Sequence, residues 1–205
     1  MVNRMEKFAD CISLISDAMV AIAAILGIAG LWQWRKELIG RSKFEIATKM
    51  TLLALQFRDE FNFARGMATF KGEAADREKQ DDEAREESQV LDEYYARIKR
   101  FHKVQGTLQK LSQAGWEAEV LLSDQDTKLV KPFEDLVKQL YISIEIYFSE
   151  QNRMSKSKMP MPQDDSGYLM RHHEVIYTRG ADDELSKKVD EAVTTLKKQL
   201  KKYIK

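Results

Sequence analysis

The chain has 205 residues, of which 43% are hydrophobic and 32% are charged, and its formal net charge is zero. That balance argues against a general nucleic-acid binder, which is usually basic, and the length suits one domain plus an anchor. With only 9 Gly and 3 Pro, turns are few and long helices are expected. The single cysteine, Cys11, excludes an internal disulfide.

An apolar stretch near the N-terminus is the clearest feature of the chain. Residues 18–31 hold no charged or strongly polar side chain, and extending the stretch to residues 11–34 gives 24 residues. A membrane-spanning helix needs about 20 residues, so the stretch predicts a transmembrane helix. A cleaved signal peptide is the alternative, but no strong small-x-small cleavage site precedes the basic sequence that follows.

The residues that follow the apolar stretch indicate its orientation. Trp32 and Trp34 stand where an interfacial aromatic belt is expected, and they are followed by four basic residues, Arg35, Lys36, Arg41 and Lys43. Positive flanks favour the cytoplasmic side. The sequence therefore predicts a transmembrane anchor over residues 1–35 and a cytoplasmic domain over residues 36–205, in a single-pass protein of the bacterial inner membrane.

One acidic residue, Asp17, lies inside the apolar stretch. On a helical wheel it shares a face with three small or polar residues: Ser13, Ala21 and Ala24. Two interpretations stay open: Asp17 marks the outer membrane boundary and reaches water, or these four residues line an oligomeric pore. Small residues such as Ala23 and Gly27, four apart, let neighbouring helices approach closely.

Behind the anchor, the apolar pattern is helical. Apolar residues recur at three- and four-residue spacing over residues 44–57 and again over residues 91–108, which predicts two helices with one buried stripe each. The second of them is expected to end near Gly115. Residues 71–89, between them, are almost purely polar and are predicted to form a mobile connection or the exposed start of the next helix.

The C-terminal half continues the pattern. Residues 129–148 form the strongest periodic run, with Pro132 in its first turn, and residues 152–168 hold two prolines and a glycine, which predicts a long loop. A final helix is expected to be capped near Asp182 or Asp183. No helix buries its stripe alone, so the predicted fold is all-α, a transmembrane helix followed by a helical bundle.

The sequence contains no Cys–His metal cluster, phosphate-binding glycine loop or nucleophile elbow, so no metal, cofactor or enzymatic activity is predicted. Arg97 and His102 have the Arg-x4-His spacing and resemble the motif of HEPN ribonucleases, where a histidine and a cation act beside a phosphate. Five helical residues turn side chains apart by about 140°. The sequence therefore favours a solvated or ion-paired Arg97 and a partly buried His102.

A second basic group borders the predicted loop and consists of Arg171, His172 and His173. With nearby tyrosines, such a group is suited to binding the phosphate of RNA, a nucleotide or a lipid. The alternative interpretation is a polar loop end without a ligand.

Three segments resemble bacterial single-pass membrane proteins with a helical cytoplasmic domain: GLWQWRKELIGRSKFEIATKMTLLALQFRDEF, WEAEVLLSDQDTKLVKPFEDLVKQLYISIEIYF and DDELSKKVDEAVTTLKKQLKKYI. Among such proteins is the HEPN-like, pore-forming accessory protein of type VI-B CRISPR systems. The resemblance implies a homo-oligomeric pore that depolarises the membrane in antiphage defence. It also implies a HEPN-like bundle, and the lipid bilayer and an RNA or CRISPR effector complex as partners.

We therefore expect a pore-forming membrane effector that is not an enzyme. The first alternative is a membrane-tethered HEPN-like ribonuclease that uses Arg97 and His102. The second is a non-catalytic membrane scaffold that recruits a cytosolic partner.

Overall fold

A computed structural model of the chain describes residues 2–70, 72–122, 128–157, 166–178, 180 and 183–204, without the side chains of residues 2–18 and 166. Every regular element in these ranges is a helix, which confirms the all-α prediction. The helices are α1 (Val2–Ala64), α2 (Arg85–Leu121), α3 (Lys131–Ser157), α4 (Ser166–Ile176) and α5 (Glu184–Ile204).

The chain divides into two units, Met1–Phe44 and Glu45–Lys205. This division falls nine residues after residue 35, the predicted end of the anchor. The physical reason is burial: α1 continues through residues 36–44 without entering a core, and its first buried side chains are Ile46 and Ala47.

In the Met1–Phe44 unit the described side chains from Met19 to Arg41 are exposed. They include large apolar residues: Met19, Val20, Ile22, Ile25, Leu26, Ile28, Leu31, Trp32, Trp34, Leu38 and Ile39. Among the residues that the structure describes, no helix is both long and apolar enough to cross a membrane. The apolar stretch of the predicted anchor begins at residue 11, and the side chains of residues 11–18 lie outside the described part.

In the second unit α3 is the central helix, since it packs against α2, α4 and α5. Its predicted apolar stripe is buried, with Phe133, Leu140 and Ile144 almost fully enclosed. The ring of Phe133 meets Phe57 of α1 edge to face, with 5.1 Å between centroids. Burying each such side chain contributes about 1.5–3 kcal/mol, so this stripe organises the bundle.

The helix end predicted near Gly115 is wrong, because α2 continues to Leu121. Gly115 is buried, and a Cβ placed on it would lie 2.8 Å from Cγ2 of Val130. The absence of a side chain at Gly115 therefore allows α2 to pack closely against the segment before α3. It does not terminate the helix.

The long loop predicted over residues 152–168 is wrong at both ends. Helix α3 continues to Ser157 and α4 begins at Ser166, while residues 158–165 lie outside the described part. Ion pairs support the last turns of α3, including one of 2.9 Å between Nζ of Lys156 and Oε1 of Glu87 on α2. Charge composition alone does not reveal such a long-range pair.

The polar connection between α1 and α2 is held by ion pairs. Arg77 donates from Nη2 to Oε2 of Glu83 at 2.7 Å and from Nε to Oδ1 of Asp92 at 2.6 Å. Hydrogen bonding to Arg77 lowers the pKa of the Glu83 carboxyl to about 2. These contacts join residues 77 and 83 to each other and residue 77 to α2. Residues 85–89 form the start of α2, as the second alternative predicted, with residues 85, 86 and 89 exposed and residues 87 and 88 half-buried.

Candidate functional site

Arg65 follows directly on the last residue of α1 and is completely buried. Its guanidinium donates to both carboxylate oxygens of Asp183, at 2.5 and 2.8 Å. It also donates from Nε to the carbonyl oxygen of Val175 at 2.6 Å and from Nη2 to that of Glu174 at 3.1 Å. One side chain thus joins the end of α1 to the end of α4 and the start of α5.

Asp183 is the N-cap of α5 as well as the partner of Arg65. Its Oδ2 accepts a 2.7 Å hydrogen bond from the backbone N–H of Ser186, three residues on, which confirms the predicted cap at this residue. Burial raises the pKa of the Asp183 carboxyl, but the hydrogen bonds from Arg65 and Ser186 outweigh that effect and lower it to about 2. Asp182, the other predicted cap, lies outside the described residues.

Arg97 of α2 is also fully buried. Its Nη1 donates to the carbonyl oxygens of Ala64 at 2.9 Å and Gly66 at 2.6 Å. The guanidinium carbon lies 4.5 Å from the ring centroid of Tyr177, whose hydroxyl donates to Glu93 at 2.6 Å. Burial raises the pKa of Tyr177 and the hydrogen bond to Glu93 adds to it, so Tyr177 stays neutral and donates its proton to that carboxylate.

Arg100, one turn further along α2, completes the group. It donates to both carboxylate oxygens of Glu73, at 3.0 and 2.6 Å, and to the carbonyl oxygen of Ala68 at 2.8 Å. Its guanidinium carbon lies 4.7 Å from the ring centroid of Phe63. The hydrogen bond with Arg100 lowers the pKa of the Glu73 carboxyl, against an opposing effect of burial.

These three side chains, which we call the arginine cluster (Arg65, Arg97 and Arg100), surround the C-terminus of α1. The last carbonyl groups of a helix have no partner within it and carry the negative end of its dipole, so cations beside them are stabilising. Most of the cluster's donors go to backbone carbonyls and carboxylates of the chain itself. The arrangement therefore closes a helix end and orders the following connection, and it leaves few donors for a phosphate.

The structure does not bring the predicted catalytic pair together. Arg97 forms an ion pair, as predicted, with 3.7 Å from its Nη2 to Oε1 of Glu93, but its side chain is enclosed. His102, which is predicted to be partly buried, is exposed on α2. The reason is that the carbonyls at the end of α1 and the ring of Tyr177 draw Arg97 to the buried face. The geometry therefore assigns Arg97 a structural role.

The predicted binding group Arg171, His172 and His173 lies on α4 rather than at a loop end. Arg171 is exposed and lies over the ring of Tyr168, with 6.0 Å to the centroid. Nδ1 of His172 is 3.1 Å from Oγ of Ser143, and burial, followed by the charge of Arg171, lowers the pKa of its imidazole.

His173 packs among aromatic rings, with 4.4 Å between its centroid and that of Tyr177 and 5.7 Å to Tyr147. Its Nδ1 is enclosed and has no hydrogen-bond partner among the described residues. The three members of the predicted group therefore have three different environments: Arg171 faces solvent, His172 bonds α3, and His173 packs in the bundle. They do not converge on one ligand.

The predicted pore-lining residues are described only in part. Ala21 and Ala24 are exposed on α1, while the side chains of Ser13 and Asp17 lie outside the described residues. No group of three or more metal-binding side chains occurs in the described part of the chain.

Geometry and fold define this protein as an all-α chain with an exposed apolar N-terminal helix and an arginine-stabilised bundle. No protein-family model, curated protein or solved structure matches the chain. The sequence patterns did not predict the role of Arg65 or the contact of the Arg97 guanidinium with the ring of Tyr177. The one signal for Arg65 was its position immediately after a helix whose last turn holds Phe61, Phe63 and Ala64.

Proposed function

We propose that the protein is attached to the bacterial inner membrane by residues 11–34 and carries its helical bundle on the cytoplasmic side. The observation that supports the proposal is the exposure of large apolar side chains along the N-terminal helix. Met19, Ile28 and Leu31, for example, are 67%, 69% and 67% exposed. Aliphatic surface of this extent in a helix needs a cover other than water.

The distribution of these side chains favours lipid as that cover. Successive helical residues turn by about 100°, so Ile28 lies about half a turn round from Met19, and Ile25 and Leu31 lie on the two sides between them. Residues 19–31 contain no charged side chain that would define a polar face. A protein partner docked on one side would leave the other side in water, whereas a bilayer surrounds the helix.

The order of residues along the helix supports the same proposal. The 24 residues 11–34 form a helix of about 36 Å, against a hydrocarbon thickness of about 30 Å. Trp32 and Trp34 follow the aliphatic stretch, and both are exposed. Tryptophans followed by basic residues are typical of the cytoplasmic interface.

Replacing Ile22 with aspartate tests membrane attachment. We expect it to raise the free energy of insertion by about 3 kcal/mol, because a carboxylate near the bilayer centre loses its hydration. The inserted fraction of the full chain, measured by vesicle flotation after an alkaline wash, should fall clearly. The matched control is Leu52→Asp, an equally apolar residue that is 62% exposed on the bundle part of α1. Equal flotation of both variants and the unchanged chain would contradict the proposal.

We propose, as the second candidate, that the attached chains form a homo-oligomeric pore that depolarises the membrane as an antiphage or CRISPR accessory effector. Gly27 and Gly30 support self-association, because a Cβ on either would meet nothing within 4 Å, so a second helix has room to approach. With Ala23 they centre about a third of a turn from the side that carries Ala21 and Ala24, so one face is available for contact and another for the lumen. The CRISPR context and an RNA partner rest on the resemblance alone.

Particle size in mild detergent tests the pore. We expect a uniform, high-order oligomer that Gly27→Leu reduces in size, because a leucine side chain holds the helix backbones apart. Asp17→Leu should leave the oligomer assembled but change ion flux in liposomes. Gly106→Leu is the matched control, since a Cβ at that helical glycine of the bundle also meets nothing within 4 Å. A monomer or dimer without conductance would contradict the pore and support the scaffold alternative.

A further inference from the structure

Three exposed basic residues follow the tryptophans on α1, and we call Arg35, Lys36 and Arg41 the basic collar. The first of them is separated from the aliphatic stretch only by Trp32, Gln33 and Trp34, of which the two tryptophans are 70% and 63% exposed. Glu37 is the one acidic residue among them. The collar therefore carries net positive charge directly beside an apolar surface.

We propose that the basic collar binds the headgroups of anionic phospholipids, an inference that rests on the proposed membrane attachment. Along the helix axis Arg35 and Arg41 are about 9 Å apart, which keeps all three cations within about one Debye length of a single headgroup layer. Each Lys or Arg at an anionic membrane surface contributes about 1 kcal/mol, a roughly fivefold preference. The partner is thus a class of lipid rather than the bilayer in general.

The directions of the three side chains favour headgroups over an acidic protein. Relative to Arg35, Lys36 lies about 100° round the helix and Arg41 about 240° round it. An acidic protein docked on one side would meet one or two of these charges, and the third would face away from it. A headgroup layer encloses the helix and meets all three cations. Each positive charge of the basic collar then has an anionic group beside it.

Tryptophan quenching by brominated lipids tests the inference in the full chain. Trp116, which lies in the bundle, is first replaced with phenylalanine so that Trp32 and Trp34 report alone. The chain is reconstituted in mixed phosphatidylcholine and phosphatidylglycerol vesicles in which one lipid or the other is brominated. We expect brominated phosphatidylglycerol to bind around the tryptophans roughly fivefold better than brominated phosphatidylcholine, and the preference to shrink with added salt.

The triple variant Arg35→Gln, Lys36→Gln, Arg41→Gln should abolish this preference. The matched control is Lys197→Gln, Lys198→Gln, Lys201→Gln, which makes the same charge change at exposed positions of α5 and should leave the preference intact. Equal quenching by the two lipids in the unchanged chain would overturn the collar while membrane attachment stands. Absence of quenching by both lipids would overturn membrane attachment itself, so the two failures are distinguishable.

Discussion

Replacing Asp183 with alanine should destabilise the helical bundle by about 3–5 kcal/mol, because the buried guanidinium of Arg65 would lose the carboxylate that it pairs with. The same change removes the N-cap of α5, whose contribution of about 1 kcal/mol lies within that range. Chemical denaturation followed by circular dichroism measures the effect. Asp190→Ala is the matched control, since Asp190 is exposed on the same helix and should change stability by less than about 0.5 kcal/mol.

Acid gives a second measurement of the same ion pair. The folded pKa of Asp183 lies at about 2, below its ordinary value of 3.8, so the carboxylate contributes stability at pH values above its unfolded pKa. That contribution should be lost as pH falls from about 4 to about 2, and it is unaffected near neutral pH. Asp183→Asn should be less stable at neutral pH and less acid-sensitive over this range. An unchanged acid profile in that variant would contradict the assignment.

Replacing Arg97 with alanine should cost about 3–5 kcal/mol. The change deletes a large, fully enclosed side chain and removes the Arg97 donor from the carbonyl groups of Ala64 and Gly66. Gly66 keeps only a long hydrogen bond of 3.5 Å from Arg100. The ring of Tyr177 also loses the cation packed on its face. Equilibrium unfolding of the detergent-solubilised full chain measures the loss.

Two variants separate this structural role from catalysis. Lys103→Ala removes an exposed cation from the same helix and should be nearly neutral, as should His102→Ala, because His102 is exposed. A HEPN-like ribonuclease requires both Arg97 and His102 for RNA cleavage. A stable Arg97→Ala chain that loses an RNA-cleaving activity, together with the same loss in His102→Ala, would contradict the structural assignment.

The central helix shows which part of the fold was predictable. The spacing of Phe133, Leu140 and Ile144 indicated one buried face, and that face is the core of the bundle. Helical periodicity is a local property, so it can be read without knowing the partner helix. Helix ends were predicted less well, at Gly115 and beyond residue 152. There, contacts with Val130 and Glu87 extend helices that composition alone would end.

The candidate sites were also predictable only as far as they depend on neighbouring residues. The Arg-x4-His spacing made Arg97 a candidate catalytic residue. The spacing contains no information about the backbone carbonyls to which Arg97 donates, which lie more than 30 residues away in the sequence. Arg65 was not a candidate residue, because an isolated arginine after a helix is common and belongs to no motif. Its partner carbonyl at Val175 lies 110 residues along the chain.

The amino-acid sequence by itself indicated helices α1, α2, α3 and α5, the apolar N-terminal stretch and the stripe around which the bundle packs, because these depend on the order and period of neighbouring side chains. Only the tertiary structure decided which charges are buried. A guanidinium is stable inside a protein only where carbonyls and carboxylates from distant segments converge on it, as they do around Arg65 and Arg97.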